Sequence, residues 1–203
     1  MSQIALPLSR KGSGDPGRIV IGNANSEVIE ALRNPSHWPF KTAILSGEPR
    51  SGKSLLGRWF ESLGEGEVID SANIWDETEL FHRWNRAQED GRPLLLISDA
   101  DGWEVELPDL GSRLGSALNL QIATPDDEML AFLIESIAIQ HGLALGEGAI
   151  TYLVPRAERS FAEIERLVLM INRLSLERKA PATLGIWRDA LEAIRGPEQG
   201  RLL

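Results

Sequence analysis

The sequence predicts an α/β domain with a parallel sheet, followed by a small all-helical domain. Short apolar runs typical of buried strands alternate with amphipathic segments, and a glycine-rich phosphate-binding pattern joins one predicted strand to the next helix. From Thr124 onward the apolar spacing is purely helical. The predicted domains are therefore residues 18–123 and 124–203, preceded by a short segment of residues 1–17.

Composition limits the classes of protein to consider. The 203 residues include no cysteine, which excludes a disulfide framework and a thiolate metal site. The formal charge of −9 argues against a large basic surface, so direct high-affinity DNA binding is not expected. There is no apolar run of roughly 18 residues and no signal-peptide core, so we expect a cytoplasmic protein that does not interact with membranes.

The chain begins with a short apolar motif, Gln3-Ile4-Ala5-Leu6-Pro7-Leu8, and a polar, glycine-rich stretch follows it up to Gly17. A hydrophobic peptide on a flexible tether contributes little to a core. From the residues alone, two interpretations remain. The motif is either a disordered tail or a ligand for a groove on another protein.

The next segment leads into the sheet. Residues 18–22 are predicted to be extended, and residues 23–26 are predicted to cap a helix from about Glu27 to Arg33. Asn34-Pro35 ends that helix, because proline disfavours helical geometry at the residue before it. The apolar run of residues 43–46 is then the first predicted strand.

The segment Gly47-Glu48-Pro49-Arg50-Ser51-Gly52-Lys53-Ser54, called the phosphate loop below, fits the pattern of a glycine, four free positions and Gly-Lys-Ser. In such a loop the backbone N–H groups surround a phosphate chain, Lys53 neutralises the outer phosphates and the Ser54 hydroxyl reaches Mg2+. Arg50 occupies a position where such loops often carry glycine. Its Cβ is expected to restrict the backbone, so nucleotide binding is predicted but tight binding is not.

Three more strands are predicted. Residues 68–69 end at Asp70, residues 94–97 end at Ser98-Asp99, and residues 118–123 form the last strand. Because the carboxyl ends of parallel strands meet at one edge of a sheet, ligands bind there. The phosphate loop, Asp70 and Ser98-Asp99 are all predicted at that edge.

The remaining elements are helices with recognisable starts. Asp76 caps a helix that continues to about Glu89, and residues 124–127 cap another helix with Pro125 in its first position. Residues 160–163 form a predicted capping box for a longer helix. Residues 149–155 and 184–194 are the other predicted helices.

Several segments occur in an order that resembles the DnaA branch of the AAA+ proteins, and within it the Hda-like regulatory inactivators of DnaA. They are Gln3 to Leu8, residues 18–25, the phosphate loop, Leu107-Pro108-Asp109-Leu110-Gly111-Ser112-Arg113-Leu114 and residues 124–128. The resemblance implies an AAA+ P-loop αβα sandwich with a parallel sheet and a helical lid. Too few residues separate the helix after the phosphate loop from Asp70 for the family's usual helix and strand, so we expect the sheet to lack an edge strand.

The resemblance also implies a role for individual residues. Arg113 is the expected arginine finger, which reaches the γ-phosphate of a neighbouring subunit. Asp70 is the expected acidic residue that contacts Mg2+ through water, although a rival alignment gives this role to Asp99. The expected ligand is ADP or ATP, and its predicted binding residues are Arg18, Ile19, Val20, Ile21, Asn25, Gly47, Glu48, Pro49, Arg50, Ser51, Gly52, Lys53, Ser54, Leu55 and the sensor residue Ser98.

For function, the resemblance implies a protein that promotes hydrolysis of DnaA-bound ATP while it is attached to the DNA polymerase sliding clamp; a homodimer is a further expectation. The expected clamp-binding residues are Gln3, Ile4, Leu6, Pro7 and Leu8. Ser71 follows Asp70 where active ATPases have a second acid, so at most weak hydrolysis of its own nucleotide is expected. Ala162 occupies the position of a nucleotide-sensing arginine. We expect no counterpart of the DNA-binding domain of DnaA, since there is no room for it after Leu203, and the acidic charge agrees with this expectation.

Three alternatives stay open. The chain could be an independent small P-loop ATPase that uses Asp70 or Asp99 for its own hydrolysis. It could be a clamp-binding adaptor with an empty nucleotide pocket. Without the resemblance, Arg113 would be a plain surface arginine paired with Asp109 four residues before it.

Overall fold

The computed structural model describes residues 19–99 and 103–195. The chain divides into two compact units on either side of the Ala123–Thr124 bond. The strands of the first unit are β1 Thr42–Gly47, β2 Glu67–Ile69, β3 Leu94–Ile97 and β4 Leu118–Ile122. Its helices are α1 Ser26–Arg33, α2 Lys53–Ser62, α3 Glu77–Glu89 and α4 Pro108–Leu114. The second unit contains α5 Asp127–Gln140, α6 Ala149–Leu153, α7 Phe161–Arg178 and α8 Leu184–Arg195.

The four strands form one parallel sheet in the order β2-β3-β1-β4. β1 lies between β3 and β4, with Ala43 opposite Leu95 on one side and Leu118 on the other. The three-residue strand β2 forms the edge of the sheet next to β3. The predicted parallel sheet is confirmed, and within the described ranges it has the shortened form that the sequence indicates.

Different helices cover the two faces of the sheet. α3 and α4 pack against Leu94 and Leu96 in one apolar cluster. On the other face, α2 approaches so closely that a Cβ on Gly57 would come within 2.6 Å of Cδ1 of Ile97. Successive strand side chains point to opposite faces, so β3 is buried on both. The first unit is therefore the predicted αβα sandwich.

Two helices begin with a side-chain capping hydrogen bond. Asp76 caps α3 as predicted, through a hydrogen bond from the backbone N–H of Glu79. Asp126 is the N-cap residue of α5, and its carboxylate accepts the N–H of Met129 at 2.8 Å. The prediction that Pro125 opens this helix is wrong, because the stronger acceptor comes one residue later and the helix begins after it.

One other local prediction is wrong. Ser160 is the N-cap residue of α7 but makes no capping hydrogen bond. The predicted capping box does not form, and Glu163 instead contacts Arg166 at 3.4 Å. Residues 19–21 belong to no helix or strand, and after them the chain turns into α1 through backbone hydrogen bonds to the carbonyl of Gly22.

The second unit is all-helical, as predicted. Its core is one apolar cluster with buried residues from each of its four described helices. Examples are Leu130 and Ile134 of α5, Leu153 of α6, Val168 and Ile171 of α7, and Trp187 and Ala190 of α8. None of the helices in the described part of the chain is both long and apolar enough to cross a membrane.

Candidate functional site

The phosphate loop connects the end of β1 to the start of α2 at the carboxyl edge of the sheet. Gly47 and Gly52 have φ angles of +154° and +93°, which disfavour any residue with a Cβ. Arg50 has φ +65° although it is not glycine. The predicted restriction at Arg50 is present, and its left-handed conformation costs roughly 1 kcal/mol or more.

Lys53, the first residue of α2, is already fully engaged within the chain. Its side chain is only 5% exposed. The ammonium group donates to the carbonyl oxygens of Gly47 at 2.8 Å and Glu48 at 3.0 Å, and pairs with Oδ1 of Asp99 at 3.2 Å. An ammonium group has three N–H donors. A phosphate that reached Lys53 would therefore compete with partners that are already in place.

Two buried polar atoms of the phosphate loop have no hydrogen-bond partner, and they indicate how well a nucleotide would fit there. The Ser51 hydroxyl is buried without a hydrogen-bond partner, so it could donate to a phosphate oxygen. The first backbone N–H groups of α2 have no side-chain cap, so they could also donate to phosphate oxygens. Glu48 Oε2 is also buried without a partner, and a carboxylate repels phosphates. The loop therefore fits a phosphate chain, with Glu48 and Arg50 both weakening the fit.

Mg2+ fits the site only together with phosphates. The described residues contain no group of three or more His, Asp or Glu side chains that could hold a metal ion. Mg2+ commonly binds through one or two protein groups plus substrate phosphates, and it stabilises the phosphate charge when bound. Ser54 at the second position of α2 and an acid at a strand end would be its protein partners.

Two carboxylates lie at neighbouring strand ends, after β2 and after β3. Asp70 accepts the backbone N–H of Ser71 at 2.9 Å, and the Ser71 hydroxyl donates to Oδ2 of Asp99 at 3.1 Å. The other Asp99 oxygen pairs with Lys53. The ion pairs within the described ranges thus bring Asp99, and not Asp70, to Lys53. Ser71 has φ +52°, a strained geometry for a serine between two acids.

Replacing Asp99 or Asp70 with asparagine separates the two candidate acids. If Asp70 is the acid that contacts Mg2+, Asp99→Asn should raise the affinity for ADP about 3-fold, because it removes a carboxylate that competes with phosphate for Lys53. The effect is small because the exposed Asp99 carboxylate is well screened by solvent. Asp70→Asn should then abolish the gain in affinity that Mg2+ provides. Isothermal titration with ADP, with and without Mg2+, measures both effects. Loss of the Mg2+ gain in Asp99→Asn alone would assign the role to Asp99.

Residues 19–25, part of the predicted nucleotide-binding site, are held together by Asn25. This side chain is 4% exposed; its Oδ1 accepts the N–H of Gly22 at 3.0 Å, and its Nδ2 donates to the carbonyl of Val20 at 2.8 Å. Ile19 is buried, whereas Val20 and Ile21 are partly exposed. Asn25 therefore shapes the turn before α1, with its amide group occupied inside the segment.

Arg113, on α4, lies against α3. Its guanidinium carbon is 4.3 Å from the ring centroid of Phe81 and 4.6 Å from that of Trp84. Its Nη1 donates to Oδ1 of Asn85 at 2.7 Å. No ion pair of the described residues involves Arg113, so the alternative pair with Asp109 is not formed. Among the described residues, this half-buried guanidinium therefore has no anionic partner.

The chain is similar in sequence and in structure to known proteins. An uncharacterized protein of Haemophilus influenzae is 30% identical over 176 residues, which are 80% of this chain and 74% of that protein. The replication initiator DnaA of Lactiplantibacillus plantarum is 25% identical over 122 residues, or 58% of this chain. Domain III of Thermotoga maritima DnaA superposes with a TM-score of 0.69 at 16% identity, covering 88% of this chain and 95% of that domain.

The chain is therefore related at low identity to the AAA+ domain of DnaA and shares its fold. It spans only about a quarter of the length of the DnaA relatives it matches, 26% for the Lactiplantibacillus plantarum protein. No family model matches the sequence. The fold is shared more widely, since the branch-migration motor RuvB of Thermotoga maritima has a TM-score of 0.60 at 16% identity over 85% of this chain.

Part of the predicted site of this DnaA-related protein lies outside the described residues, namely Arg18 and the clamp-binding motif of residues 3–8. The structure brings together the phosphate loop, Asp70, Asp99 and, at the end of β3, the buried Ser98. Sequence reasoning missed the hydrogen bond from the Ser71 hydroxyl to Asp99 and the contacts of Arg113. No spacing signal could have indicated them, because the partners are far apart along the chain.

Proposed function

We propose that this protein is an Hda-like regulatory inactivator of DnaA in the cytoplasm. It binds adenine nucleotide with Mg2+ through its phosphate loop and binds the DNA polymerase sliding clamp through residues 3–8. Arg113 promotes hydrolysis of the ATP that DnaA holds. The similarity of this chain to DnaA supports this proposal.

The observation that carries the proposal is the state of Arg113. A guanidinium without an anionic partner attracts one from another molecule, and a guanidinium matches phosphate oxygens in geometry as well as charge. Within the described residues Arg113 contacts only α3 and no part of the phosphate loop. It is therefore suited to a nucleotide held by a different chain. Such an arginine stabilises the charge that develops in phosphoryl transfer.

The protein's own site supports a regulatory role for its nucleotide. Lys53 is satisfied within the chain, Glu48 adds an unpaired carboxylate oxygen, and Ser71 stands beside Asp70 in place of a second acid. A water molecule for hydrolysis then lacks an acid to orient it. Bound ADP or ATP acts mainly as a structural ligand in this account.

A second function, an independent P-loop ATPase, is favoured by one contact. Asp99 follows the strand next to the phosphate loop and lies 3.2 Å from Lys53, where it could take part in hydrolysis within the same chain. Steady ATP turnover by the purified protein without DnaA would support that function. Turnover only in the presence of DnaA supports the regulator. An adaptor with an empty pocket would bind the clamp but not ADP at millimolar concentration.

Replacing Gln3 and Leu6 together with alanine is expected to reduce clamp binding at least about 10-fold, because a short extended peptide depends on a few anchor side chains. The melting temperature should stay unchanged. Biolayer interferometry against the clamp and thermal unfolding measure the two quantities. Replacing Ser2 and Ser9, which flank the motif, with alanine is the matched control. A lower melting temperature with unchanged clamp affinity would place the motif in the fold instead.

A further inference from the structure

Side chains along one side of α3, called the α3 stripe below, contact both ends of α4. They are Glu77, Phe81, Trp84 and Asn85. Glu77, at the start of α3, accepts the backbone N–H groups of Glu106 at 2.9 Å and Leu107 at 2.6 Å, directly before α4. Leu107, the N-cap residue of α4, makes no side-chain capping hydrogen bond, and Glu77 instead fixes the backbone directly before the helix. Two turns further along α3, Phe81, Trp84 and Asn85 contact Arg113 near the end of α4.

The α3 stripe is itself fixed to the sheet. Trp84 is 9% exposed, and its indole N–H donates to the hydroxyl of Thr42 at 3.1 Å. Thr42 is the first residue of β1, the strand that carries the phosphate loop. Trp84, one of the two rings next to Arg113, is therefore fixed to the buried core of the first unit, and Phe81 packs against the same apolar cluster.

These contacts limit the conformational freedom of the Arg113 side chain and leave most of its guanidinium N–H groups available. The guanidinium carbon lies over the rings of both Phe81 and Trp84, which limits the conformations that the Arg113 side chain can adopt. Asn85 takes only one of the five N–H groups. Because Asn85 is neutral, it orients the guanidinium without cancelling its charge, whereas a carboxylate at that place would do both.

We propose that Phe81, Trp84 and Asn85 form a positioning platform that presents the guanidinium of Arg113 to the terminal phosphate of a nucleotide bound by a partner chain. The platform residues act through Arg113 and do not contact the partner's nucleotide. The inference rests on the proposed function, since it concerns how that function's key side chain is oriented. Its physical basis is preorganisation: an arginine held in one geometry loses little rotamer entropy when the phosphate arrives.

The test measures ATP hydrolysis by the cognate DnaA, with DNA-loaded clamp, over a range of concentrations of this protein. Phe81→Leu and Asn85→Ala should each lower the maximal rate about 10-fold. The half-saturating concentration should change less than about 2-fold, because the platform orients a group and does not form the complex. Arg86→Ala, an exposed charge on the same helix, should behave like the unchanged protein. Melting temperatures confirm that each variant is folded.

A double-mutant cycle distinguishes positioning from a general structural effect. The background for the cycle is Arg113→Lys, which keeps a positive charge and part of the stimulation but has no planar guanidinium for the platform to orient. Arg113→Lys with Asn85→Ala should then be no slower than Arg113→Lys alone. Additive losses, or an unchanged maximal rate in both platform variants, would overturn the platform. A higher maximal rate would overturn it as well, because it would mean that α3 withholds Arg113 from the partner.

Failure of the platform and failure of the proposed function give different results. If the unchanged protein stimulates DnaA and the platform variants do so equally, only the platform is wrong. If the unchanged protein gives no stimulation, the function is wrong and the platform's role in it is wrong too. A further readout is the NMR order of the Arg113 Nε–H group, which should be rigid in the unchanged protein and mobile in Asn85→Ala.

Discussion

Changing Arg113 to alanine is expected to abolish the stimulation of DnaA-bound ATP hydrolysis, with a loss of roughly 1,000-fold or more in the stimulated rate. The guanidinium is the only described group of α4 that could place positive charge on a partner's phosphate. Phosphoryl transfer spreads negative charge over the oxygens of the transferred group, so removal of that charge acts on the transition state. Single-turnover hydrolysis of labelled ATP bound to DnaA measures the rate.

The same change should leave the protein's other properties intact. Arg113 has no contact with the phosphate loop among the described residues, so ADP affinity should stay within about 2-fold. Clamp affinity should not change. Arg86→Ala is the matched control, since it removes an exposed arginine from the helix on which Arg113 rests. Full stimulation by the Arg113→Ala protein would contradict the finger role.

Lys53→Ala should lower the affinity for ADP about 10- to 100-fold, the second largest effect we expect. A hydrogen bond from a charged group is worth roughly 1.5–3 kcal/mol, and Lys53 is the loop's charged donor to the outer phosphates. Its present bonds to Gly47, Glu48 and Asp99 reduce the net loss, because phosphate binding replaces them. Isothermal titration with ADP and Mg2+ measures the affinity.

The control for Lys53 lies on the same helix. Arg58 is exposed on α2, so Arg58→Ala removes one positive charge without touching the loop and should leave ADP affinity unchanged within about 2-fold. Lys53→Arg should recover part of the affinity, because the charge is kept but the compact ammonium is not. Equal affinity of Lys53→Ala and the unchanged protein would mean that the phosphate loop does not contact nucleotide.

The fold was predictable from the sequence where local pattern and burial agree. Leu94–Ile97 is four apolar residues between polar turns, and every one of them is buried in the central part of the sheet. The shortened sheet followed from a simple count of residues before Asp70. Helix starts were less predictable: at Thr124 to Asp127 several residues can cap, and the choice depends on which oxygen reaches a backbone N–H in the folded chain.

Only those parts of the site that lie in one continuous segment of sequence were predictable. The phosphate loop is one segment, and a pattern of spacing describes it. The pair of Lys53 with Asp99 joins residues on different elements, and the bond from Arg113 to Asn85 spans 28 positions of sequence. Such contacts depend on the sheet order and on helix packing, which decide the distances between side chains. Periodicity predicts a buried face for α3 but not that an arginine of α4 lies on it.

The most direct test of the central claim is ATP hydrolysis by the cognate DnaA in the presence of this protein and DNA-loaded clamp, with each component omitted in turn. We expect hydrolysis to rise only when all three are present, because the clamp brings the regulator to DnaA and Arg113 acts on the nucleotide of DnaA. Hydrolysis by this protein alone, or no change when it is added to DnaA and clamp, would contradict the regulatory function and leave only the AAA+ fold.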